Sequence, residues 1–383
     1  MTSPFVVGAN QANAMGLPYS LSNFTLGNTS ITYPPGPVTP YQSQLLLEGI
    51  DPQITYISPD QKRKFYISGA MSPVAPGVPG QDGIVLAEPL SGIQSPFKHI
   101  DSQGARQDGV TWDDTVYEPM EIDMKLEAHA ATTAGLQRVM SDWIAATPPE
   151  EMGRLEYYTP KTGLWWVQTR PAETIQSKPK NSPHRQLRWP FVHTARVDNA
   201  FWYGVDSISK KEGNGTFHLP LTNIGQIDGW PSFLCYGPGT FRFLNGPGGK
   251  TDIFFGPLVA GQIALITTLP RLRSVVDLTP NGAVGNFPQN LTGIQRLIDS
   301  LVRLVTFNQV PPLLTWFESL FGIKAPNEQG VMYSLLNGRF TRPIPGVPQP
   351  SDATTNYISG SISGGNANSK VIASVTPRRR WPE

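Results

Sequence analysis

The sequence predicts a mainly β protein with two antiparallel β-rich domains, and three observations support this class. The 383 residues include 37 glycines and 38 prolines, which weaken or break the interiors of helices. Short apolar stretches recur at about ten-residue spacing between residues 217 and 268, as is typical of antiparallel sandwiches. Only 15% of the residues are charged while 39% are hydrophobic, so the chain can fill hydrophobic cores. Its length exceeds what one core usually spans.

Charge, cysteine and histidine content exclude several classes of function. The 30 basic and 29 acidic residues almost cancel, which leaves no long-range field for nucleic acid. Cys235 is the single cysteine, so an internal disulfide and a multi-cysteine zinc site are excluded. The five histidines have no metal-binding spacing. The most apolar stretch, 253–266, is interrupted by glycine and proline and is too short to cross a bilayer. With no signal-peptide pattern, we expect cytoplasmic synthesis and no membrane insertion.

Residues 1–44 are predicted to form an extended, uncharged N-terminal arm. The first 47 residues contain no charged residue and no histidine. Such a segment cannot build a core alone, and two interpretations follow. It is either a flexible tail, or an arm that becomes ordered against a neighbouring subunit. In the second case the candidate interface residues are Phe5, Tyr19, Phe24 and Tyr33.

Residues 45–209 are predicted to form a β domain with one helix. The clearest strand covers 117–128, where Met120, Ile122, Met124 and Leu126 alternate with charged residues, as in a half-buried strand. Thr132 and Thr133 offer a helix start, and the apolar residues that follow recur at helical spacing as far as 146. A hairpin is expected over 155–169.

Residues 210–383 are predicted to form a second β-sandwich, entered through a linker at 210–215. Short strands are expected up to residue 268, followed by a helical insertion at about 291–323 because leucine and isoleucine recur there at helical spacing. Residues 331–336 and 371–375 are expected to return to the sheet as strands. The proline-, glycine- and serine-rich range 346–369 predicts a long loop.

No residue pattern predicts catalysis, a cofactor or a metal ion. The segment 245–251 resembles a phosphate loop, but the required first glycine is replaced by Leu244, and a strand rather than a helix follows. The acidic residues near 113–123 fall on the solvent side of a strand. Cys235 has no local histidine partner and is expected to be a buried apolar residue. We therefore expect a protein that is not an enzyme.

Two further groups of residues are candidates for binding. The segment 178–196 combines basic residues, among them Arg185, Arg188 and Arg196, with aromatic residues. This combination fits single-stranded nucleic acid or a subunit interface, and with the balanced net charge we favour the interface. Trp230 and Tyr236 lie near turns of the second domain and could stack on a glycan, although such aromatic residues more often belong to a core.

The order of these segments resembles the distal tail proteins of long-tailed bacteriophages, especially the minor tail proteins of phages of actinobacteria. The stretch Gly104–Trp112, the alternating strand after it, the helix and the hairpin resemble the first domain of that family. The second domain is matched by turn motifs: Asn223-Ile224-Gly225, Trp230-Pro231, Gly237-Pro238-Gly239 and Gly261-Gln262. The resemblance covers 45 to about 280.

The resemblance implies a structural virion protein at the tail tip, made in the host cytoplasm. A belt-type first domain would form a ring, typically a hexamer, and a galectin-like second domain would project from it. The expected partners are further copies of the chain, the tail tube protein, and tail-tip or baseplate hub proteins. The alternative is a carbohydrate-binding tail adhesin module that recognises the host cell envelope through residues 216–280. A glycan hydrolase would need a carboxylate pair, which the sequence does not suggest.

Overall fold

The computed structural model describes residues 31–49, 51–104, 108–177, 179, 181–270, 273–279 and 331–383. The prediction of a mainly β protein is confirmed, since antiparallel sheets make up most of the fold. The chain divides into two compact units. The first contains the described residues up to Trp202 together with Arg380–Glu383, and the second contains Tyr203–Arg379. The sequence had placed this boundary between residues 209 and 210.

The first unit is built on one large sheet, three helices and a separate hairpin. Its strands are β1 (Ile31–Tyr33), β2 (Gln53–Ile57), β3 (Arg63–Ser68), β4 (Gly83–Leu86), β5 (Phe97–Ser102), β6 (Thr111–Tyr117), β7 (Met120–His129), β8 (Gly153–Thr159), β9 (Gly163–Pro171), β10 (Arg188–Val197) and β11 (Trp202–Tyr203). Its helices are α1 (Pro40–Glu48), α2 (Thr133–Ala146) and α3 (Pro183–Gln186). The main strand order is β1-β3-β2-β8-β9-β10-β7-β4, and only β1 and β3 run parallel.

The core of the first unit lies between this sheet and α2. The expected alternation in β7 is confirmed, because Met120, Ile122, Met124 and Leu126 are all buried. Helix α2 begins where the sequence predicts, and the Oγ1 of Thr132 accepts a hydrogen bond of 3.0 Å from the backbone N–H of Gly135. The apolar face of this helix carries Trp143, which contacts four aromatic rings of the sheet, those of Tyr56, Phe65, Phe191 and His193. A capped amphipathic helix therefore closes the sheet as its periodicity predicts.

Part of the predicted arm belongs to the first unit. Residues 31–33 form the edge strand β1, and α1 begins at Pro40. Thr39 and Gln42 form a capping box, in which the side chain of each accepts a hydrogen bond from the backbone N–H of the other. The arm prediction for residues 1–30 lies outside the described residues.

The second unit is a sandwich of two five-stranded antiparallel sheets. The strands of these two sheets are β12 (Ser207–Glu212), β13 (Gly215–Thr222), β14 (Ser232–Tyr236), β15 (Gly239–Leu244), β16 (Asp252–Leu258), β17 (Ile263–Thr267), β18 (Ser274–Asp277), β19 (Leu336–Asn337), β20 (Thr355–Ser363) and β21 (Lys370–Val375). The two-residue strand β22 (Arg378–Arg379) belongs to neither sheet. One sheet has the order β12-β21-β14-β17-β18 and the other β13-β20-β15-β16-β19. Phenylalanines from both sheets fill the core, among them Phe233, Phe243 and Phe255.

Three predictions for the second unit need correction, and one falls outside the described part. The range 346–369 is not a continuous loop, because the nine-residue strand β20 lies inside it. The predicted linker 210–215 belongs to β12, to β13 and to the short turn between these two strands, which lie in different sheets. The range 331–336 is not a strand, because Val331–Leu335 is a 3-10 helix and β19 has only two residues. The predicted helical insertion at 291–323 lies outside the described residues.

Candidate interaction surfaces

The described residues contain no group of three or more metal-ligating side chains. Cys235 is fully buried, and burial raises the pKa of its thiol well above the usual value. It is therefore a core residue, as the sequence predicts. The residues of the former phosphate-loop candidate connect β15 to β16 as a hairpin turn. Within the described ranges, no helix is long and apolar enough to span a membrane.

The positive charge of the basic segment is partly balanced by ion pairs among the described residues. Arg188 Nε pairs with Glu127 Oε1, and the Nε2 of the buried His129 contacts the same carboxylate oxygen. Arg196 Nε lies 3.1 Å from Asp198 Oδ1, and this carboxylate also binds Arg170. Two of the three arginines proposed for an interface are thus paired inside the first unit. Arg185 is exposed in the last turn of α3.

The proposed anchor Tyr33 is buried within the first unit of its own chain. Its ring is 3% exposed and stacks on Phe65 with 5.0 Å between ring centroids. Because the ring is buried within one copy, it cannot be the exposed anchor that the sequence suggests. The other three proposed anchors, Phe5, Tyr19 and Phe24, lie outside the described residues.

The two residues proposed for glycan contact do not form one site. Trp230 and Tyr236 are both half-buried, and they lie at opposite ends of β14. An extended chain separates their Cα atoms by about 20 Å, so a single sugar ring cannot contact both. The ring of Tyr236 is partly covered by the Lys370 ammonium, 4.2 Å from the ring centroid.

The hairpin of β5 and β6 is the most exposed element of the first unit. Within the described residues these two strands pair only with each other, and every residue of β5 is exposed. The exposed apolar side chains of the hairpin and its turn are Phe97, Ile100, Val110, Trp112 and Val116. Trp112 is 63% exposed. The sequence indicates only the stretch Gly104–Trp112 in this region. Both faces of the hairpin are exposed, so no alternation of apolar and polar residues marks the strands.

The cross-strand pairs of the hairpin give it two different faces. Phe97 and His99 lie together on one face, with 5.1 Å between their ring centroids. On the same face, the Nε1 of Trp112 donates a hydrogen bond of 3.0 Å to Thr115 Oγ1. The opposite face carries Ile100 paired across the strands with Asp114, and Lys98 paired with Val116. One face is therefore mainly aromatic, and the other combines two aliphatic side chains with one cation and one carboxylate.

Comparison with known proteins finds similarity only among solved structures. No protein-family model and no curated protein matches the chain. The chain is similar to the SPP1 Dit protein (gp 19.1), described as a paradigm of the hub adsorption apparatus in phages that infect Gram-positive bacteria. The identity is 10%, the TM-score is 0.43, and the match covers 77% of this chain and 93% of that chain.

The chain is also similar to structures of the phage P2 baseplate in its activated conformation. For the structure with Ca, the identity is 10%, the TM-score 0.44, and the coverage 87% of this chain and 100% of that chain. For the structure with Sr, the identity is 10%, the TM-score is 0.44, and the match covers 86% of this chain and 99% of that chain. All three are phage hub or baseplate structures. The resemblance drawn from the sequence motifs names the same group of proteins.

Proposed function

We propose that the chain is a non-enzymatic structural subunit of a bacteriophage tail, which assembles with copies of itself into a ring. In this proposal the ring is a hexamer at the end of the tail tube and joins the tube protein to the tail-tip or baseplate hub proteins. The turn and strand motifs of residues 45–280 support the family. The hairpin of β5 and β6 supports self-assembly.

The hairpin carries the proposal because its composition does not suit a solvent-exposed element. A two-stranded hairpin is at best marginally stable alone in water. This one exposes aromatic side chains on one face and aliphatic side chains on the other. Its outer strand edges also have no strand partner within the described residues, and such edges accept another strand. A partner that covers Trp112 and pairs with an edge would bury the exposed aromatic side chains and would also supply the missing strand partner.

A second copy of the chain is the partner that explains a ring. One copy would offer its hairpin, and the next would offer a different surface, so that the contact is heterologous. Repetition of a heterologous contact closes into a ring when the rotation between copies permits closure. Every copy in such a ring contributes one hairpin and covers another.

The molar mass of the purified full chain, measured by light scattering, tests the proposal. We expect a closed oligomer for the wild type and a monomer for Trp112→Ser, because serine removes the largest exposed apolar group of the hairpin. Tyr357→Ser is the matched control, since Tyr357 is an aromatic residue of the second unit that is 54% exposed. It should assemble normally. A monomeric wild type would overturn the ring, and an oligomeric Trp112→Ser would overturn the role of the hairpin.

A further inference from the structure

The sheet β13-β20-β15-β16-β19 has one face in the core of the second unit and one face open to solvent. Its inward side chains include Phe217, Ile358 and Phe241, all buried. The alternate residues point outward, and His218, Tyr357, Arg242 and Phe254 are all exposed. This outer surface, which we call the open face, crosses at least four neighbouring strands.

Two aromatic side chains stand at opposite corners of the open face. Phe254 on β16 pairs with Arg242 on β15, which pairs with Ser361 on β20. Tyr357 lies four residues before Ser361 on the same strand. Strand spacing and rise per residue place the Cα atoms of Phe254 and Tyr357 about 16 Å apart, diagonally across the sheet. Phe254 is 42% exposed and Tyr357 is 54% exposed, so both present a ring to a ligand on the sheet.

Small hydroxyl side chains, an ion pair and the half-buried Leu244 occupy the area between the two rings. Ser359 and Ser361 are half-buried in the middle of β20. The Nδ1 of His218 lies 2.8 Å from Ser359 Oγ. Arg242 Nη2 lies 2.8 Å from Asp252 Oδ1, and both side chains remain partly exposed. The side chains of this area are therefore mostly short and polar. Their net charge is close to zero, because the Asp252 carboxylate balances the Arg242 guanidinium.

This distribution of groups distinguishes among partner classes. Protein interfaces concentrate apolar anchors at the centre and polar groups at the rim, whereas the open face has the reverse arrangement. Nucleic acid requires an excess of cations for its phosphates, which the Arg242–Asp252 pair does not provide. A neutral oligosaccharide offers hydroxyl groups that both donate and accept, together with apolar ring faces. Serine hydroxyls, an arginine fixed by a carboxylate, and exposed aromatic rings match that chemistry.

We propose that the open face of the second unit binds a neutral oligosaccharide, with Phe254 and Tyr357 as stacking platforms and Arg242 and the serines of β20 as hydrogen-bonding groups. The distance between the two rings favours a chain of several sugars over a monosaccharide. The site does not include Trp230 or Tyr236, and it does not depend on ring assembly.

Saturation-transfer NMR and isothermal titration calorimetry on the full chain test this site. The probes are maltotetraose, cellotetraose and the tetramer of N-acetylglucosamine, each free in solution so that multivalency does not enter the measured affinity. We expect at least one probe to bind, and Phe254→Ala and Arg242→Ala each to weaken its affinity at least tenfold. Val259→Ala is the matched control, because Val259 is an apolar residue that is 62% exposed, more than Phe254, and lies beyond the end of β16.

Each outcome decides for or against the site. Binding that is lost in the two face variants and kept in Val259→Ala supports it, provided that all three variants unfold at the wild-type temperature. Failure of all three probes to bind overturns the proposal. So does equal affinity in the wild type and Phe254→Ala. If Phe254→Ala lowers the assembled mass instead, the open face is a protein contact and the glycan proposal is wrong. A monomeric wild type that binds a probe would overturn the ring and keep this site.

Discussion

The hydroxyl of Tyr33 donates a hydrogen bond of 2.6 Å to the Oδ2 of Asp142, which joins the edge strand β1 to helix α2. Arg63 Nε donates to the other oxygen of the same carboxylate over 3.2 Å. One carboxylate on the helix therefore holds two neighbouring strands, β1 and β3. Because Tyr33 is 3% exposed, this contact stabilises the first unit itself.

We expect Tyr33→Phe to lower the free energy of unfolding of the first unit by about 2 kcal/mol, because the acceptor is a carboxylate and hydrogen bonds to charged groups contribute about 1.5–3 kcal/mol. Urea unfolding, monitored by tryptophan fluorescence, measures this free energy. Tyr41→Phe is the control, because Tyr41 is 58% exposed on α1, and its change should be close to zero. If Tyr33→Phe instead leaves stability unchanged and dissociates the oligomer, Tyr33 is an intermolecular anchor after all.

Deletion of residues 1–30 separates the two interpretations of the uncharged arm. The deletion ends before β1, so it leaves the contacts of Tyr33 in place. If Phe5, Tyr19 and Phe24 contact a neighbouring copy, the truncated protein should fold with unchanged urea stability and assemble only at higher protein concentration. Sedimentation velocity over a concentration series measures this shift. Assembly identical to that of the full chain would leave the flexible-tail interpretation.

The sequence predicts an element well where one face is buried and the other is exposed. The alternation from Met120 to Leu126 locates β7 for this reason, and the apolar stripe that includes Trp143 locates α2. The hairpin of β5 and β6 has two exposed faces, so its pattern carries no such signal. Its role depends on contacts with another molecule, which a single sequence does not reveal.

The sequence predicts a loop in place of strand β20, and the reason is different. Only Ile358 and Ile362 point into the core, and Gly360 stands between them because the ring of Phe217 fills the space beneath it. The outward positions are mostly serine and threonine, so the composition is that of a loop. The same composition leaves the open face low and polar. The serine- and threonine-rich composition that prevents prediction of the strand is therefore the same composition that supports the oligosaccharide site.

Gly360→Ala should destabilise the second unit by about 3 kcal/mol, since overpacking of this kind typically costs about 1–3 kcal/mol. A Cβ at this position would lie 2.1 Å from the backbone oxygen of Arg242 and 2.5 Å from Phe217 Cζ. A backbone atom cannot move aside without disturbing the pairing of β15 and β20. Urea unfolding measures the loss. Ser359→Ala is the neighbouring control, with an expected loss below about 1 kcal/mol.

His193 should make the first unit sensitive to acid. Its side chain is 2% exposed, and burial lowers the pKa to about 4 from 6.5. The unfolded chain therefore binds more protons than the folded chain as the pH falls from 6.5 to 4. The contribution to stability is complete above pH 6.5, and about 3 kcal/mol of it is lost as the pH falls to 4.

His193→Phe tests this dependence, because phenylalanine cannot be protonated and can keep the edge contact with Trp143. We expect the slope of unfolding free energy against pH, between 6.5 and 4.5, to be clearly smaller in the variant. His129 also has a pKa lowered by burial, opposed by Glu127, and it remains in both proteins. The difference between the two slopes therefore reports His193. Equal slopes would show that His193 is not buried in solution.

Assembly through the hairpin should appear as protection of its amides. Within the described residues of a single copy, the outer edges of β5 and β6 have no strand partner, so we expect their N–H groups to exchange quickly with solvent. Hydrogen–deuterium exchange should be at least tenfold slower at 97–102 and 111–117 in the assembled wild type than in monomeric Trp112→Ser. Residues 126–129 of β7 are the internal control, because both of their edges are paired within one copy. If the hairpin exchanges equally fast in both proteins while the wild type is a ring, the ring contact lies elsewhere and the hairpin is left for another partner.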